Sequence, residues 1–381
     1  MKRIYIIYII TGLSTGGAEM MLYKLLSYIN RQRFEPIVVS LMDKGTLGTP
    51  IEALGIPVYT INIKRGIPTM LSFLRLVRAV SQIQPDLIQG WMYHGNLAAQ
   101  LVSYFLHNSV SVVWNIRHSL YSLEYERVKT KWVIQLCAKF SHLPRKIIYN
   151  STRAAIQHQS IGYCPDKTLV IPNGFDTDKF TPSPEAVTNV RQEVGIALNT
   201  ILIGRIGRYH PMKDHDNFLQ AAAFFKKNYP DIDVLFILVG RGVDDNNQHL
   251  CGLVKELGLT ESIHLLGERE DIPRLTAALD IASSSSAYGE AFPNVIGEAM
   301  SCGIPCVVTD VGDSAWIVGE TGRVVPSHNP QALANAWKDL IDLEREERKN
   351  LGKAARSRVL EYFCLDSIVA QYEELYESLI V

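Results

Sequence analysis

Two patterns of apolar spacing alternate along the chain. Short runs of β-branched and aromatic residues, such as Ile4–Ile10 and Val234–Val239, give way to longer stretches in which apolar residues recur every three or four positions. The first pattern predicts buried strands and the second amphipathic helices. In the first half, strands are expected at 4–10, 36–42, 58–63, 86–90, 111–116, 146–149 and 168–171. Helices are expected at 18–29, 70–80, 97–106, 125–140 and 153–160. Strands separated by helices imply a parallel sheet covered on both faces.

The punctuation changes at Pro172-Asn173-Gly174-Phe175-Asp176, and Pro182-Ser183-Pro184 follows closely. This turn chemistry reads as a linker. The alternation then restarts, with strands expected at 201–206, 234–239, 262–266, 280–283 and 306–309. Helices are expected at 216–226, 248–257, 294–301, 330–343, 345–361 and 365–379. The fold class is therefore α/β, with two doubly wound, Rossmann-like units in tandem. The expected divisions are 1–172, 173–362 and a terminal helix at 363–381. Sites in such sheets lie beyond the C-terminal ends of strands, so the two units are expected to face each other across a cleft that holds the ligand.

With 381 residues, 47% hydrophobic and 20% charged, the chain has the composition of a globular protein, not of a disordered or fibrous one. The net charge of −1 conceals an asymmetry. Residues 1–172 hold 19 basic and 8 acidic side chains, and the remainder holds 19 and 31. A polycationic and a polyanionic half suggest domains with different partners, or halves that attract each other. Lys2 and Arg3 before an apolar run resemble a secretory leader, but the run is only seven residues and rich in Ile and Tyr. A buried strand in a cytoplasmic protein fits it better. No run reaches membrane-spanning length. The six Cys form no CxxC pair, and no metal site is expected.

Five segments could carry chemistry. Thr11–Glu19 contains Gly12, Gly16 and Gly17 between a strand and a helix, where backbone N–H groups can approach an anion; an ordinary turn fits equally. Neither GxGxxG nor a Walker A pattern is present. Arg208 and Lys213 lie five positions apart on a turn after the first strand of the second unit. They suit a diphosphate, through a guanidinium fork and a mobile ammonium. In the segment from Glu290 to Pro305, Pro293 suits the first position of a helix. N–H groups near Phe292 and Asn294 would then face an anion, while Glu290 and Glu298 would accept from sugar or ribose hydroxyls. His118 follows a strand in the first half. Last, Arg127, Lys129, Lys131, Trp132 and Lys139 mark a basic helix with apolar interleaving. It is either a membrane-contact face or a core helix with a solvated side.

Taken together, the segments at 11–19, 118, 208–213 and 290–305 resemble the retaining glycosyltransferases of family GT4, which have the GT-B fold. Ser283 to Ser286, the segment 171–176 and the terminal helix add to the resemblance, which covers nearly the whole chain. It implies that Arg208 and Lys213 hold the diphosphate and that Glu290 holds donor-sugar hydroxyls. It implies that Phe292, Pro293 and Asn294 border the phosphate or sugar and that Glu298 binds the ribose. Gly16 and Gly17 would let the first domain close on the phosphates. His118 would contact the sugar, and the main chain around Arg269 would pass the nucleobase. The chain departs from the family's frequent Glu-Gly-Phe-Gly, reading Gly289-Glu290-Ala291-Phe292-Pro293.

The expected reaction is transfer of a sugar from a UDP- or GDP-type nucleotide sugar to a glycan or polyprenyl-linked acceptor, with retention. The nucleotide sugar is a substrate and no cofactor is expected. Fixed cations and helix dipoles would take up the charge growing on the leaving diphosphate, so no metal ion is required. An anionic membrane surface is a further expected partner, placing the protein in the cytoplasm or on the inner face of the membrane. Nucleic acid is not, because no recognition motif accompanies the basic half. A nucleotide-sugar epimerase, a solute-binding protein and a nicotinamide dehydrogenase are the competing readings.

Overall fold

The computed structural model describes residues 3–63, 69–106 and 110–380; Lys2 lies outside the described residues. The chain forms two compact units, one of residues 1–174 with 365–381 and the other of 175–364. The first boundary falls two residues beyond the expected one, between Gly174 and Phe175. Pro182 to Pro184 is not linker: Ser183 accepts a hydrogen bond from the Ala186 N–H and caps a helix that begins with Pro184. Ser-Pro is a helix-start signal as well as a turn signal, and here the former prevails.

The first unit contains β1 (Ile4–Ile10), α1 (Gly17–Tyr28), β2 (Phe34–Ser40), α2 (Gly48–Ala53), β3 (Val58–Thr60) and α3 (Met70–Ile83). It continues through β4 (Leu87–Trp91), α4 (Met92–Ser103), β5 (Ser111–Ile116), α5 (Val128–Phe140), β6 (Lys146–Tyr149), α6 (Thr152–Ser160) and β7 (Thr168–Val170). The strands form one parallel sheet in the order β3-β2-β1-β4-β5-β6-β7. Alternation along β1 divides the core. Ile4, Ile6, Tyr8 and Ile10 pack on one face, and Ile7 and Ile9 on the other. The run that resembled a leader is thus an interior strand of the sheet, between β2 and β4.

The second unit contains α7 (Pro184–Glu193), β8 (Ile201–Ile206), α8 (His215–Asn228), β9 (Val234–Val239), α9 (Gln248–Glu256), β10 (Ile263–Leu265) and α10 (Ile272–Ala277). Then follow β11 (Ile281–Ser284), α11 (Asn294–Ser301), β12 (Cys306–Thr309), α12 (Ser314–Val318), β13 (Arg323–Val325), α13 (Pro330–Ile341) and α14 (Arg345–Tyr362). Its parallel sheet runs β10-β9-β8-β11-β12-β13. The short elements α2, α10, α12 and β13 were not legible as periodic patterns, because each spans only one or two turns or three residues.

The last helix, α15 (Leu365–Ser378), belongs to the first unit. Leu365, Ile368, Val369, Tyr372, Leu375 and Tyr376 lie on one helical face and are buried in the core that covers β1. The Tyr376 hydroxyl donates to Gln89 at 2.5 Å and accepts from Tyr8 at 3.2 Å. Tyr372 accepts from Asn115 at 2.9 Å and from the buried Arg117 at 2.8 Å. The helix also redistributes charge. Its four acidic residues leave the first unit with 19 basic and 12 acidic side chains, and the second with 19 and 27.

Strand order reverses between β1 and β4 in the first sheet and between β8 and β11 in the second. Within each unit, the loops leaving these strands frame that sheet's own crevice, where open α/β sheets hold ligands. Thr11 to Gly16 follows β1. Gly207 to Asp214 and Ser285 to Glu290 follow β8 and β11.

Candidate functional site

In the second unit the β8 loop is shaped by backbone close approach. Gly207 and Gly240 both have strongly positive φ, 155° and 150°. A Cβ on Gly240 would strike the Gly207 main chain and come within 2.8 Å of the Arg208 nitrogen. The loop then makes a single turn, Pro211–Lys213, and Asp214 caps α8 by accepting from the Asn217 N–H at 3.2 Å.

Arg205, on β8, holds this turn from below. It is buried and donates to Ser285 Oγ at 3.0 Å, to His215 Nε2 at 2.8 Å and to the Lys213 carbonyl. Desolvation lowers its pKa to about 10, against the attraction of Glu290 and Asp214. The Ser285 hydroxyl also meets the carbonyl oxygens of Lys213 and Asp214, at 3.1 and 2.9 Å. His215 stays neutral, because burial and then the Arg205 charge push its pKa far down. The same two causes, burial first and then the charges of Arg208 and Lys213, lower His210.

The fixed turn sends Lys213 Nζ to Glu290 Oε1, with both side chains mostly buried, 17% and 12% exposed. Ser286 donates a second hydrogen bond to the same carboxylate oxygen at 2.9 Å. The structure thus brings two of the expected residues together as an ion pair. Arg208 stands exposed beside them, with no hydrogen bond or ion pair among the described residues.

Glu290 leads into α11. Pro293 is the cap of this helix and not its first residue, and it supplies no side-chain cap. Phe292 is buried, and its ring stacks on Phe175 at 6.0 Å. Asn294 opens the helix, and Glu298 is half-buried one turn further on. Gly312 explains how Glu290 is held. Its φ is +59°, and a Cβ there would collide with the Glu290 and Ala291 carbonyls. The neighbouring Asp313 N–H donates to the Ala291 carbonyl at 3.0 Å. Arg269, after β10, is tied by its side chain to Asp271 at 2.8 Å and Glu193 at 2.9 Å.

In the first unit, Gly16 is the N-cap of α1 in extended conformation, and Gly17 is its first residue. A Cβ on Gly17 would meet nothing within 4 Å. His118 follows β5. Its Nδ1 lies 3.2 Å from the Tyr93 hydroxyl and its Nε2 3.4 Å from Glu126. Burial lowers its pKa, partly opposed by Glu126.

The basic helix is α5, with Arg127 as its N-cap. Lys129 and Lys139 are exposed and Lys131 is half-buried. Val128, Trp132 and Leu136 form an exposed apolar stripe at helical spacing, with Trp132 70% exposed. Ile134, Cys137 and Ala138 face the core. On the same side of the sheet, Met70, Leu71 and Leu74 of α3 are exposed, as are Leu101, Tyr104 and Phe105 at the end of α4. None of these three helices contains Asp or Glu. No helix among the described residues is long and apolar enough to cross a membrane.

No cluster of three potential metal ligands occurs among the described residues. Three Asp-x-Asp triplets, 176–178, 214–216 and 231–233, escape the sequence reading, and each has a structural use: Asp214 caps α8, and Asp216 faces His249 at 2.9 Å. Asp176 accepts from the Lys179 N–H at 2.8 Å, and Asp233 accepts from Thr200 at 2.6 Å. The sequence reading also passed over Arg205, Tyr93, His158 and Glu126. Arg205 carried a signal, as a charged residue inside an apolar strand; the other three are united only by the fold.

Two doubly wound parallel sheets with long loops at their switch points define a GT-B type of scaffold, and comparison with known proteins agrees. The profile described as Glycosyltransferase Family 4 matches residues 15–179, and that described as Glycosyl transferases group 1 matches 187–358. The chain belongs to glycosyltransferase family 4. A D-inositol 3-phosphate glycosyltransferase of Corynebacterium aurimucosum is 30% identical over 232 residues, 59% of this chain and 54% of that one. The chain spans about half the length of these inositol-phosphate relatives. The UDP-Gal:alpha-D-GlcNAc-diphosphoundecaprenol alpha-1,3-galactosyltransferase of Escherichia coli is 26% identical over 69% of each chain. Among solved structures, Anabaena Alr3699/HepE in complex with UDP superposes with a TM-score of 0.85. It is 26% identical and covers 98% of this chain and 100% of its own.

Proposed function

We propose that this protein is a retaining glycosyltransferase that moves a sugar from a UDP-type nucleotide sugar to a glycan or polyprenyl-linked acceptor. The observation that carries this reading is the Lys213–Glu290 pair, built on a turn fixed by Arg205 and Ser285 at the switch point of the second sheet. A diphosphate arriving there takes up hydrogen bonds from Lys213 and Arg208. Glu290, released or shared, accepts from sugar hydroxyls, and Glu298 from ribose. As the sugar–phosphate bond lengthens, charge grows on the leaving diphosphate, and preset cations stabilise it without reorganisation. The departing phosphate oxygen takes the acceptor's proton on the same face, which preserves the anomeric configuration. Complexes of HepE with UDP and with UDP-glucose support the choice of nucleotide. The lipid-linked substrate in the name of the E. coli relative supports the acceptor class. The carboxylate-free, apolar face of α3, α4 and α5 suits docking on the anionic inner face of a membrane, where such acceptors reside.

The test is a panel of UDP, GDP and ADP sugars. Thermal stabilisation by UDP sugars and release of α-configured product from an α-linked donor are expected. Epimerised donor without transfer, or no stabilisation by any sugar nucleotide, overturns the reading.

A further inference from the structure

His118 is the last member of a hydrogen-bonded chain that begins in the core of the first unit. His158 is fully buried in the last turn of α6, and its Nδ1 lies 2.7 Å from the Ala154 carbonyl oxygen. A carbonyl only accepts, so Nδ1 carries the hydrogen. Burial holds the ring neutral, lowering its pKa to about 4, so Nε2 keeps its lone pair.

Nε2 of His158 lies 2.8 Å from the Tyr93 hydroxyl, which must donate to it. That hydroxyl has one hydrogen. Toward His118 Nδ1, 3.2 Å away, the same oxygen can only accept. His118 therefore carries its hydrogen on Nδ1, and in the neutral ring the lone pair sits on Nε2.

The groups packed around the chain do not disturb this order. Burial raises Tyr93 and Tyr163 well above the usual phenol range, raises Tyr149 likewise, and pushes the Cys137 thiol up to about 12. All stay protonated near neutral pH.

At the open end, His118 Nε2 faces Glu126 Oε1 at 3.4 Å, with the two side chains 35% and 19% exposed. A lone pair and a carboxylate oxygen facing each other with no hydrogen between them form a site for a donor. A hydroxyl is the donor that a sugar substrate offers.

We propose that Tyr93, oriented by His158, is a positioning residue that holds His118 as the Nδ1–H tautomer, so that His118 Nε2 and Glu126 together receive a sugar hydroxyl. The sugar half of this inference rests on the glycosyltransferase reading; the tautomer half does not.

Two measurements on the full chain test it. The first is the 15N chemical-shift pattern of the His118 ring in protein labelled at histidine. A protonated Nδ1 and an unprotonated Nε2 are expected near neutral pH, with loss of that preference in Tyr93→Phe. An Nε2–H tautomer in the parent protein, or an unchanged pattern in Tyr93→Phe, overturns the positioning role. The second is hydrolysis of UDP-glucose by Tyr93→Phe and Glu126→Gln. The carboxamide would donate to Nε2 and fill the site. A fall in kcat of at least tenfold in both, with UDP affinity unchanged, is expected. Unaltered kcat with the tautomer in place overturns the hydroxyl assignment. A parent protein that turns over no sugar nucleotide removes the sugar half while the first measurement still decides the tautomer.

Discussion

Lys213 and Glu290, 77 positions apart in the sequence, form an ion pair where the loops after β8 and β11 meet. Each is the other's nearest opposite charge, and each is expected to bind a different part of one substrate. The pair keeps a mostly buried cation and anion satisfied until a ligand offers a phosphate to one and hydroxyls to the other.

Replacing Lys213 tests this directly. Lys213→Ala should lower kcat for UDP-sugar turnover by about 10²–10³, the scale of a lost preset donor to transition-state charge. Glu290 keeps its Ser286 hydrogen bond, so the fold should survive. Steady-state turnover, with unfolding monitored separately, is the check. Full activity in a folded variant contradicts the assignment.

Arg205 should matter for a different reason. It touches the Lys213 main chain, not its ammonium, and acts by fixing the turn. Arg205→Met leaves His215 Nε2 and part of the Lys213 carbonyl unsatisfied, and should cost about 3 kcal/mol in stability. Arg205→Lys restores the charge but cannot span three partners, and should recover less than half of that. Urea unfolding of the two variants measures the difference, and equal stability of Arg205→Met with the parent contradicts it.

Acid should weaken the fold before its carboxylates titrate. His158 has a folded-state pKa of about 4, below the unfolded value of about 6.5. The unfolded chain therefore binds more protons in that window. The stabilisation is fully present above the unfolded value and is lost as pH falls toward 4, on the order of 3 kcal/mol from His158. His215, also depressed by burial, acts in the same direction. A urea midpoint that falls steadily from pH 6.5 to 4 is expected; a flat profile contradicts the burial of these rings.

The exposed stripe on α5 makes the fourth prediction. The protein should float with liposomes containing anionic lipid at low salt and be released by about 0.5 M salt, beyond which screening is strong. Trp132→Ala with Val128→Ser should cut the bound fraction severalfold without lowering stability, since both side chains are exposed. Equal partitioning with and without anionic lipid contradicts the proposal.

The strands and long helices were legible because each has a burial period that the sequence repeats several times. Asn294–Ser301 and Ile201–Ile206 match their expected bounds. The short connectors were not, since α12 and β13 offer fewer than two periods each. Glu290, Lys213 and Arg208 could be found from charge type beside a strand end. The support beneath them could not. Arg205, Ser285 and His215 become neighbours only when β8 pairs with β11, and Tyr93 meets His158 only when α4 and α6 cover the same face. The face proposed for docking was half-legible. Its basic residues stood out on α5, whereas the exposed apolar side chains of α3 and α4 look like core positions in the sequence.

The placement of α15 on the sheet that contains β1 reverses the order of assembly. A ribosome delivers all seven strands of the first unit early, yet the helix that completes the cover over Ile6, Tyr8 and Ile10 emerges only after residues 175–364. Residues 175–364 have by then been released in full and are free to condense. The first unit to be synthesised is consequently completed only after the second, and until α15 emerges the cover that α1 begins over Ile6, Tyr8 and Ile10 stays unfinished.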